Sequence, residues 1–493
     1  MLMKYILVID QGTTSSRAII FNTTGKTIGQ AQTEFKQIYP HPGWVEHSPI
    51  DILTSVRSVI SAALKKAEIK YSEIIGMGIT NQRETIVMWD KETGSPIYNA
   101  IVWQCRRTQE RCDALREYED IIFEKTGLKL DPYFSASKIE WLLNHVEKAK
   151  ELLSENRLLV GTIDTYLMWQ LSGGKIYKTD YTNASRTMLF NIHKLCWDKQ
   201  LCELFNIPMD ILPSVEQSSS IFGNTAKEIL GFAIPICGVA GDQQSALFGQ
   251  CCFNKGDLKV TYGTGCFLLL NSKESAIQSK SGLVTSLSCQ TKNSPSYVLE
   301  GSVFIGGALI QWLRDGLQLL KSSNECEALA SQVKDTNGVY IVPAFGGLGA
   351  PYWNKDAQGI ITGITRGCKK EHIIRAALEA ISYQVNDVIE AMKKDLPIPL
   401  NQIKVDGGAS VNSLLMQLQS DVSNQVMIRS ENKEATALGA CYLVGLCLGI
   451  WTQEDLVHMN DKFDLFVPKI DKKQRFRMLQ GWKNAIHKSF SKT

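Results

Sequence analysis

Short apolar runs that end in polar clusters recur along this chain and alternate with helical patterns, an order that predicts an α/β protein. In "VIDQGTTSSRAIIF" (8 to 21) an apolar run is tipped by Asp10. It turns through Gly12, Thr13, Thr14, Ser15 and Ser16 and then becomes apolar again, as a strand hairpin would. "FNTTGKTIGQ" is the next turn. "SPIDILTSVRSVISAALKKA" places apolar residues at helical spacing, with Ser48 as N-cap and Pro49 in the first turn. "IIGMGIT" reads as a buried strand running directly into the polar "NQRET", and ligands of α/β domains sit at such strand ends.

The second half repeats the theme. "IPICGVAGDQQSALFGQ" (234 to 250) reads as strand, glycine turn and helix, and "LKVTYGTGCFLLL" (258 to 270) as another hairpin with a small-residue turn. Its likeness to the opening hairpin predicts two related halves, 1–250 and 251–493. "IKVDGGASVNSLLMQLQSD" (403 to 421) is a strand, a Gly-Gly turn and a helix. "ATALGACYLVGLCLGIW" (435 to 451) is uncharged and close to membrane-spanning length. It contains three glycines and a threonine and follows Glu434 in place of a basic anchor, so a buried helix is expected and no membrane insertion.

Composition narrows the function. At 493 residues and 44% hydrophobic content, two or more domains can each bury a core. Lys+Arg 53 against Asp+Glu 50, with no basic tract, leaves a nucleic-acid or membrane-surface role without electrostatic support, so a small ligand is expected. The thirteen cysteines are scattered without a C-x-x-C pair, and "YILVI" is too short for the apolar core of an export signal; both point to the cytoplasm.

Two nucleotide signatures are excluded. Gly25-Lys26-Thr27 resembles a P-loop ending, but Ile20 stands where the first glycine must be, and no G-x-G-x-x-G follows a strand. Tight Gly/Ser/Thr turns can instead gather backbone N–H groups around phosphate oxygens, which "GTTSS" and "GTG" both suit, and Asp10 beside the first would hold Mg²⁺ next to them. With Gly407-Gly408 as a third glycine turn, the pattern predicts an ATP site divided between two domains.

The order D-Q-G-T-T-S-S-R, G-D-Q-Q, Y-G-T-G, D-G-G-A-x-x-N resembles the actin-like ATPase scaffold. "YFSASKIEWLLNH" (133 to 145) and "GIITGITRGCKKEHIIRAALE" (359 to 379) resemble the two signatures of the FGGY carbohydrate kinases. "GWVEH", "NQRET", "YNAIVWQCRRT", "DPYFSASK", "DYTNASRTMLFNI" and "AGDQQSALFGQ" resemble the branch of that family that phosphorylates glycerol, and Cys105 stands where many other members have Asp. The resemblance implies two RNase H-like domains enclosing a cleft, the first holding the polyol, Mg²⁺ and one phosphate hairpin, the second holding the other hairpin and the adenosine. It implies transfer from ATP to glycerol, giving ADP and sn-glycerol 3-phosphate, by a homo-oligomer, dimer or tetramer. Thr13, Thr14, Ser15, Arg17, Thr264 and Gly265 are implied at the phosphates, and Gly307, Gln311, Gly408 and Asn412 at the adenosine.

The polyol residues make chemical sense on their own. Three hydroxyls on three carbons need charged hydrogen-bonding groups and an apolar wall. Arg83 and Glu84 supply a donor and an acceptor, Tyr133, Asp242 and Gln243 complete the shell, and Trp103 and Phe267 close the apolar side. The plainer alternatives are a surface ion pair for Arg83 and Glu84 and core packing for the aromatics. Position at strand ends, and directly after "YGTGC", favours the site. Asp242 is expected as N-cap, as the base that takes the attacking hydroxyl's proton, and as a second carboxylate for the metal.

Two rivals stand beside this reading: a kinase of another small polyol or ketose, and a regulatory ATPase on the same scaffold, for which no segment is free to be a peptide-binding domain. Some bacterial members of the glycerol branch bind fructose 1,6-bisphosphate through an arginine and a glycine-rich loop. In "AKEILGFAIPI" (226 to 236) Ala233 takes the arginine's place and Gly231 alone remains of the glycines, so no such site is expected.

Overall fold

The opening apolar run forms strand Tyr5–Gln11, buried throughout, which pairs antiparallel with Ser15–Asn22, and that strand pairs with Thr27–Glu34. The computed structural model describes residues 4–490 apart from 290, 292, 293, 433, 460 and 461. Ile74–Asn81 lies parallel to Tyr5–Gln11, and Pro235–Gly241 lies parallel to Ile74–Asn81. Covered on both faces, these parallel strands are continuous apolar runs rather than alternating ones.

The second sheet repeats this plan. Asp257–Tyr262 and Cys266–Lys273 form the hairpin and Tyr297–Val303 pairs antiparallel with its second arm; Gln402–Asp406 and then Met427–Ser430 add in parallel on the other side. In each sheet three antiparallel strands precede two parallel ones beside the first, the second sheet inserting Val284–Leu287 before its third strand and placing it on the outer edge, so the halves share one α/β topology, as the two hairpins and the RNase H-like expectation require.

Strand register positions the site. Asp10 is opposite Thr80 and Thr80 opposite Ala240, so Asp10, the polar "NQRET" and Asp242 emerge together at the carboxyl ends of three adjacent strands. In the second sheet Thr261 is opposite Asp406, which sets the turn at 263–265 beside Gly407-Gly408. Gly407 has φ +90°, and a Cβ there would meet the Tyr262 carbonyl oxygen at 2.5 Å, so only glycine fits.

Helix Pro49–Ala67 begins as expected, Ser48 Oγ accepting from Asp51 N at 3.1 Å, and buries Ile52, Val56 and Ile60 against Leu7, Ile9 and Ile20 of the first sheet. Helix Lys370–Asp395 covers the second sheet, placing Ala377, Ile381 and Val385 with Leu268, Leu270 and Leu299. The uncharged stretch forms helix Ala435–Cys447 and is buried, but against the first sheet: Ala440 and Val444 pack with Ile6, Val8 and Cys237. It crosses helix Asp242–Gly249 at backbone distance, because a Cβ on Gly439 would lie 1.8 Å from Ser245 O and one on Gly249 would lie 2.0 Å from Ala435 O. Among the described residues no helix is long and apolar enough to cross a membrane.

Candidate active site

Asp242 follows Pro235–Gly241 and opens helix Asp242–Gly249. Gly241 holds the N-cap position, which corrects the expectation that Asp242 would; Asp242 is the first helical residue and its Oδ1 accepts from Gln243 N at 2.8 Å. The carboxylate reaches the cleft with 32% of its side chain exposed and lies 3.3 Å from Arg83 Nε. Burial on its other sides pushes its pKa up to about 6, against the pull of the Arg83 charge and with the push of Glu84.

Arg83 and Glu84 are not a surface pair: they are 3% and 1% exposed. Arg83 donates to both carboxylate oxygens of Glu300, Nη1 to Oε2 at 2.7 Å and Nη2 to Oε1 at 2.9 Å, and Nη1 also donates to Gln244 Oε1 at 3.1 Å. Arg186 donates from Nε to Glu84 Oε1 at 2.5 Å and from both terminal nitrogens to Glu300 at 3.2 Å. Burial raises the Glu300 carboxyl, but Arg186 and Arg83 outweigh that and hold it down at about 2. The backbone at Glu84 has φ +61°, a left-handed conformation that costs a non-glycine residue on the order of 1 kcal/mol. Arg186 on its carboxylate and Ser135 Oγ on its carbonyl, at 3.2 Å, hold it there.

The three candidate aromatics come together. Trp103 meets Tyr133 edge-on at 5.5 Å and Phe267, from the second sheet, at 6.4 Å. Trp103 Nε1 donates to Thr13 Oγ1 at 3.0 Å, joining the aromatic cluster to the first hairpin. That hairpin is closed by Gly12 N to Ser15 O at 2.9 Å. Thr14 is exposed, while Ser15 is buried with Oγ accepting from Gln32 at 2.9 Å. Arg17 pairs with Asp10, Nε to Oδ2 at 3.1 Å, and donates from Nη1 to Glu434 Oε2 at 2.7 Å.

Asp10 and Asp242 suit magnesium in residue type: the ion takes one or two carboxylates and fills its remaining positions with water and phosphate oxygens. Among the described residues no group of three or more His, Cys, Asp or Glu could hold a metal without such help.

A cavity of about 390 Å³ opens beside the second hairpin, lined by Thr264, Gly307, Gln311, Gly408 and Asn412 with Ile310 and Leu378 as apolar walls. Gln311 is exposed at its rim. Asn412 also caps helix Ser413–Ser423, its Oδ1 accepting from Leu415 N at 2.9 Å. Gly265 does not line the cavity; a Cβ there would lie 2.5 Å from Val303 O, so its smallness serves strand packing.

The residues that sequence reasoning missed are Glu300, Arg186, Lys259 and Gln244. Lys259 in "LKVTY" and Glu300 in "YVLEGSV" are charges inside otherwise apolar strands, and that mismatch is the signal that could have found them.

The chain matches the N-terminal domain model of the FGGY family of carbohydrate kinases over residues 5–249 and the C-terminal domain model over 258–446. It is 54% identical to a glycerol kinase of Clostridium botulinum over 489 residues, covering 99% of this chain and 98% of that one. It is 53% identical to glycerol kinase 2 of Thermotoga maritima, covering 99% of both. A crystal structure of Plasmodium falciparum glycerol kinase with ADP superposes with TM-score 0.94 at 36% identity, covering 100% of this chain and 99% of that one. A ligand-bound xylulose kinase from Lactobacillus acidophilus shares the fold, with TM-score 0.87 at 21% identity. Two family models spanning nearly the whole chain, and relatives at this identity along its full length, establish that the protein belongs to the FGGY family of carbohydrate kinases.

Proposed function

We propose that this protein phosphorylates glycerol with ATP, giving ADP and sn-glycerol 3-phosphate. The observation that carries the reading is Asp242: a carboxylate at a strand end, open to the cleft, its pKa lifted toward neutrality, with Arg83 at 3.3 Å and Asp10 of the first hairpin at the same edge of the sheet. The relatives at 53% and 54% identity are named as glycerol kinases, whereas the likeness to xylulose kinase speaks for the fold alone.

In this reading Arg83 and Glu84 hold glycerol hydroxyls, with Tyr133 and Gln243 completing the shell, and the wall of Trp103 and Phe267 limits the length of the polyol. Asp242 accepts the proton of the attacking hydroxyl as its oxygen bonds to the γ-phosphorus. The bond from that phosphorus to the bridging oxygen breaks, and ADP leaves with the electron pair. Thr13, Thr14, Ser15, Arg17, Thr264 and Gly265 are assigned to the phosphates, and Gly307, Gln311, Gly408 and Asn412 to the adenosine. Asp10 and Asp242 would hold Mg²⁺, which supplies charge neutralisation at the phosphates. We place the protein in the cytoplasm, where thirteen cysteines outside any disulfide suit the redox poise, and as a homo-oligomer whose size light scattering would read.

The test is ADP release in a coupled assay with and without glycerol. Release that depends on glycerol and saturates with it is expected; release unchanged by glycerol, or obtained only with a ketose, would overturn the reading.

A further inference from the structure

Lys259 stands in the middle of strand Asp257–Tyr262 with none of its surface exposed, a costly place for an ammonium group. It spans the two halves of the molecule. Its Nζ donates to Gln243 Oε1, on the helix that Asp242 opens, at 2.8 Å, and to Thr261 Oγ1 on its own strand at 2.9 Å. An ammonium only donates hydrogen bonds, so it dictates which end of the Gln243 amide faces it: the oxygen. Gln243 Nε2 then points elsewhere, makes no hydrogen bond to any described residue, and is not sealed from solvent.

The position of Lys259 in the sheet reinforces this. Lys259 is opposite Leu269, and Leu269 is opposite Glu300, so the lysine and the glutamate that grips Arg83 lie in one cross-strand row on one face. That row reaches into the first half at two points, Gln243 and Arg83, both assigned above to the polyol. Around the polyol, Asp242 and Glu84 already supply acceptors. Arg83 directs most of its N–H groups at Glu300, Gln244 and Asp242, so a glycerol hydroxyl oxygen there is short of N–H donors, and the orientation imposed by Lys259 offers two more.

We propose that Lys259 is a positioning residue for the polyol: it turns the Gln243 amide so that its two N–H groups face a substrate hydroxyl. The inference rests on reading the site as a glycerol site. Without the lysine the amide rotates freely, and half of its orientations present a second oxygen to an already acceptor-rich pocket.

The experiment is steady-state kinetics on Lys259→Met, Gln243→Ala and the double variant, with thermal melting to verify folding. Lys259→Met is expected to raise KM for glycerol by roughly tenfold, about one hydrogen bond's worth, with kcat and KM for ATP within about twofold of wild type. Gln243→Ala should do the same, and the double variant should be no worse than either single one, because both remove the same contact. A role confined to stability would lower the melting temperature without moving KM for glycerol. An unaltered KM in folded Lys259→Met, or effects that multiply in the double variant, would overturn the inference. If Lys259→Met does not fold, Lys259→Gln, whose amide can accept as well as donate and so no longer dictates which end of Gln243 faces it, carries the same expectation, and an unaltered KM there overturns it equally. A wild type that releases no ADP with glycerol would overturn the proposed function and this inference together; an active wild type with a normal Lys259→Met overturns the inference alone.

Discussion

Asp242 shows how one residue's surroundings set its chemistry. Asp242→Asn keeps the shape and hydrogen bonding of the cleft but cannot take a proton, so kcat should fall by roughly 10² to 10⁴ while glycerol and nucleotide still bind. Activity within a few-fold of wild type would remove Asp242 from the role of base. The same residue has a stability signature. Its folded pKa of about 6 lies above that of an unfolded aspartate, so the protonated form is favoured in the fold and the ionised form opposes folding as pH rises through about 6. Without nucleotide or Mg²⁺, Asp242→Asn should therefore melt higher than wild type at pH 8 and match it more closely at pH 5; a lower melting temperature at pH 8 contradicts this environment. If Asp10 holds the metal as proposed, Asp10→Ala should raise the Mg²⁺ concentration needed at fixed ATP, and an unchanged titration curve would reduce it to a turn residue. At this scale the sequence displayed Asp10, Arg83, Glu84 and Asp242, because each ends an apolar run. It hid Arg186 and Glu300, because the pairing that explains their charges joins the two halves: Glu300 with both Arg83 and Arg186.

Among the elements, hairpins and the helix Pro49–Ala67 were legible because turn chemistry, capping and periodicity are local. The placement of helix Ala435–Cys447 on the first sheet was not, since it depends on two glycines far apart in sequence, Gly439 against Ser245 and Gly249 against Ala435. Alanine is favoured over glycine in a helix by about 1 kcal/mol. Gly439→Ala should nonetheless destabilise the protein by about 1–3 kcal/mol, because its methyl group would displace the helix that Asp242 begins, and kcat should fall with it. A denaturation midpoint at or above wild type would show that the two helices separate without strain. The aromatic wall is also an assembly of elements: Trp103 touches Tyr133, Phe267 and Thr13 from three different segments. Trp103→Ala should weaken glycerol binding and admit four- and five-carbon polyols, and a substrate panel that stays confined to glycerol with normal turnover would place the length limit elsewhere.

At the scale of the molecule, two sheets of one topology face each other across a cleft bridged by Glu300, Lys259 and Phe267 from the second half. The duplication could be read from two similar hairpins; the bridging could not, because sequence periodicity carries no information about which sheet faces which. Sequence 226–236 folds as the short helix Lys227–Leu230 and an exposed turn at Gly231 and Ala233, with Lys227 as its one cation. Millimolar fructose 1,6-bisphosphate should accordingly leave glycerol phosphorylation unchanged at saturating ATP, and strong saturable inhibition not competitive with ATP would reveal another binding surface. The central claim, that this cleft moves a phosphoryl group from ATP to glycerol, is tested most directly by following the reaction with ³¹P NMR. With Mg²⁺, ATP and glycerol, a single phosphomonoester resonance should grow in step with ADP, its product fully oxidised by a dehydrogenase specific for sn-glycerol 3-phosphate; inorganic phosphate appearing in its place would contradict the account.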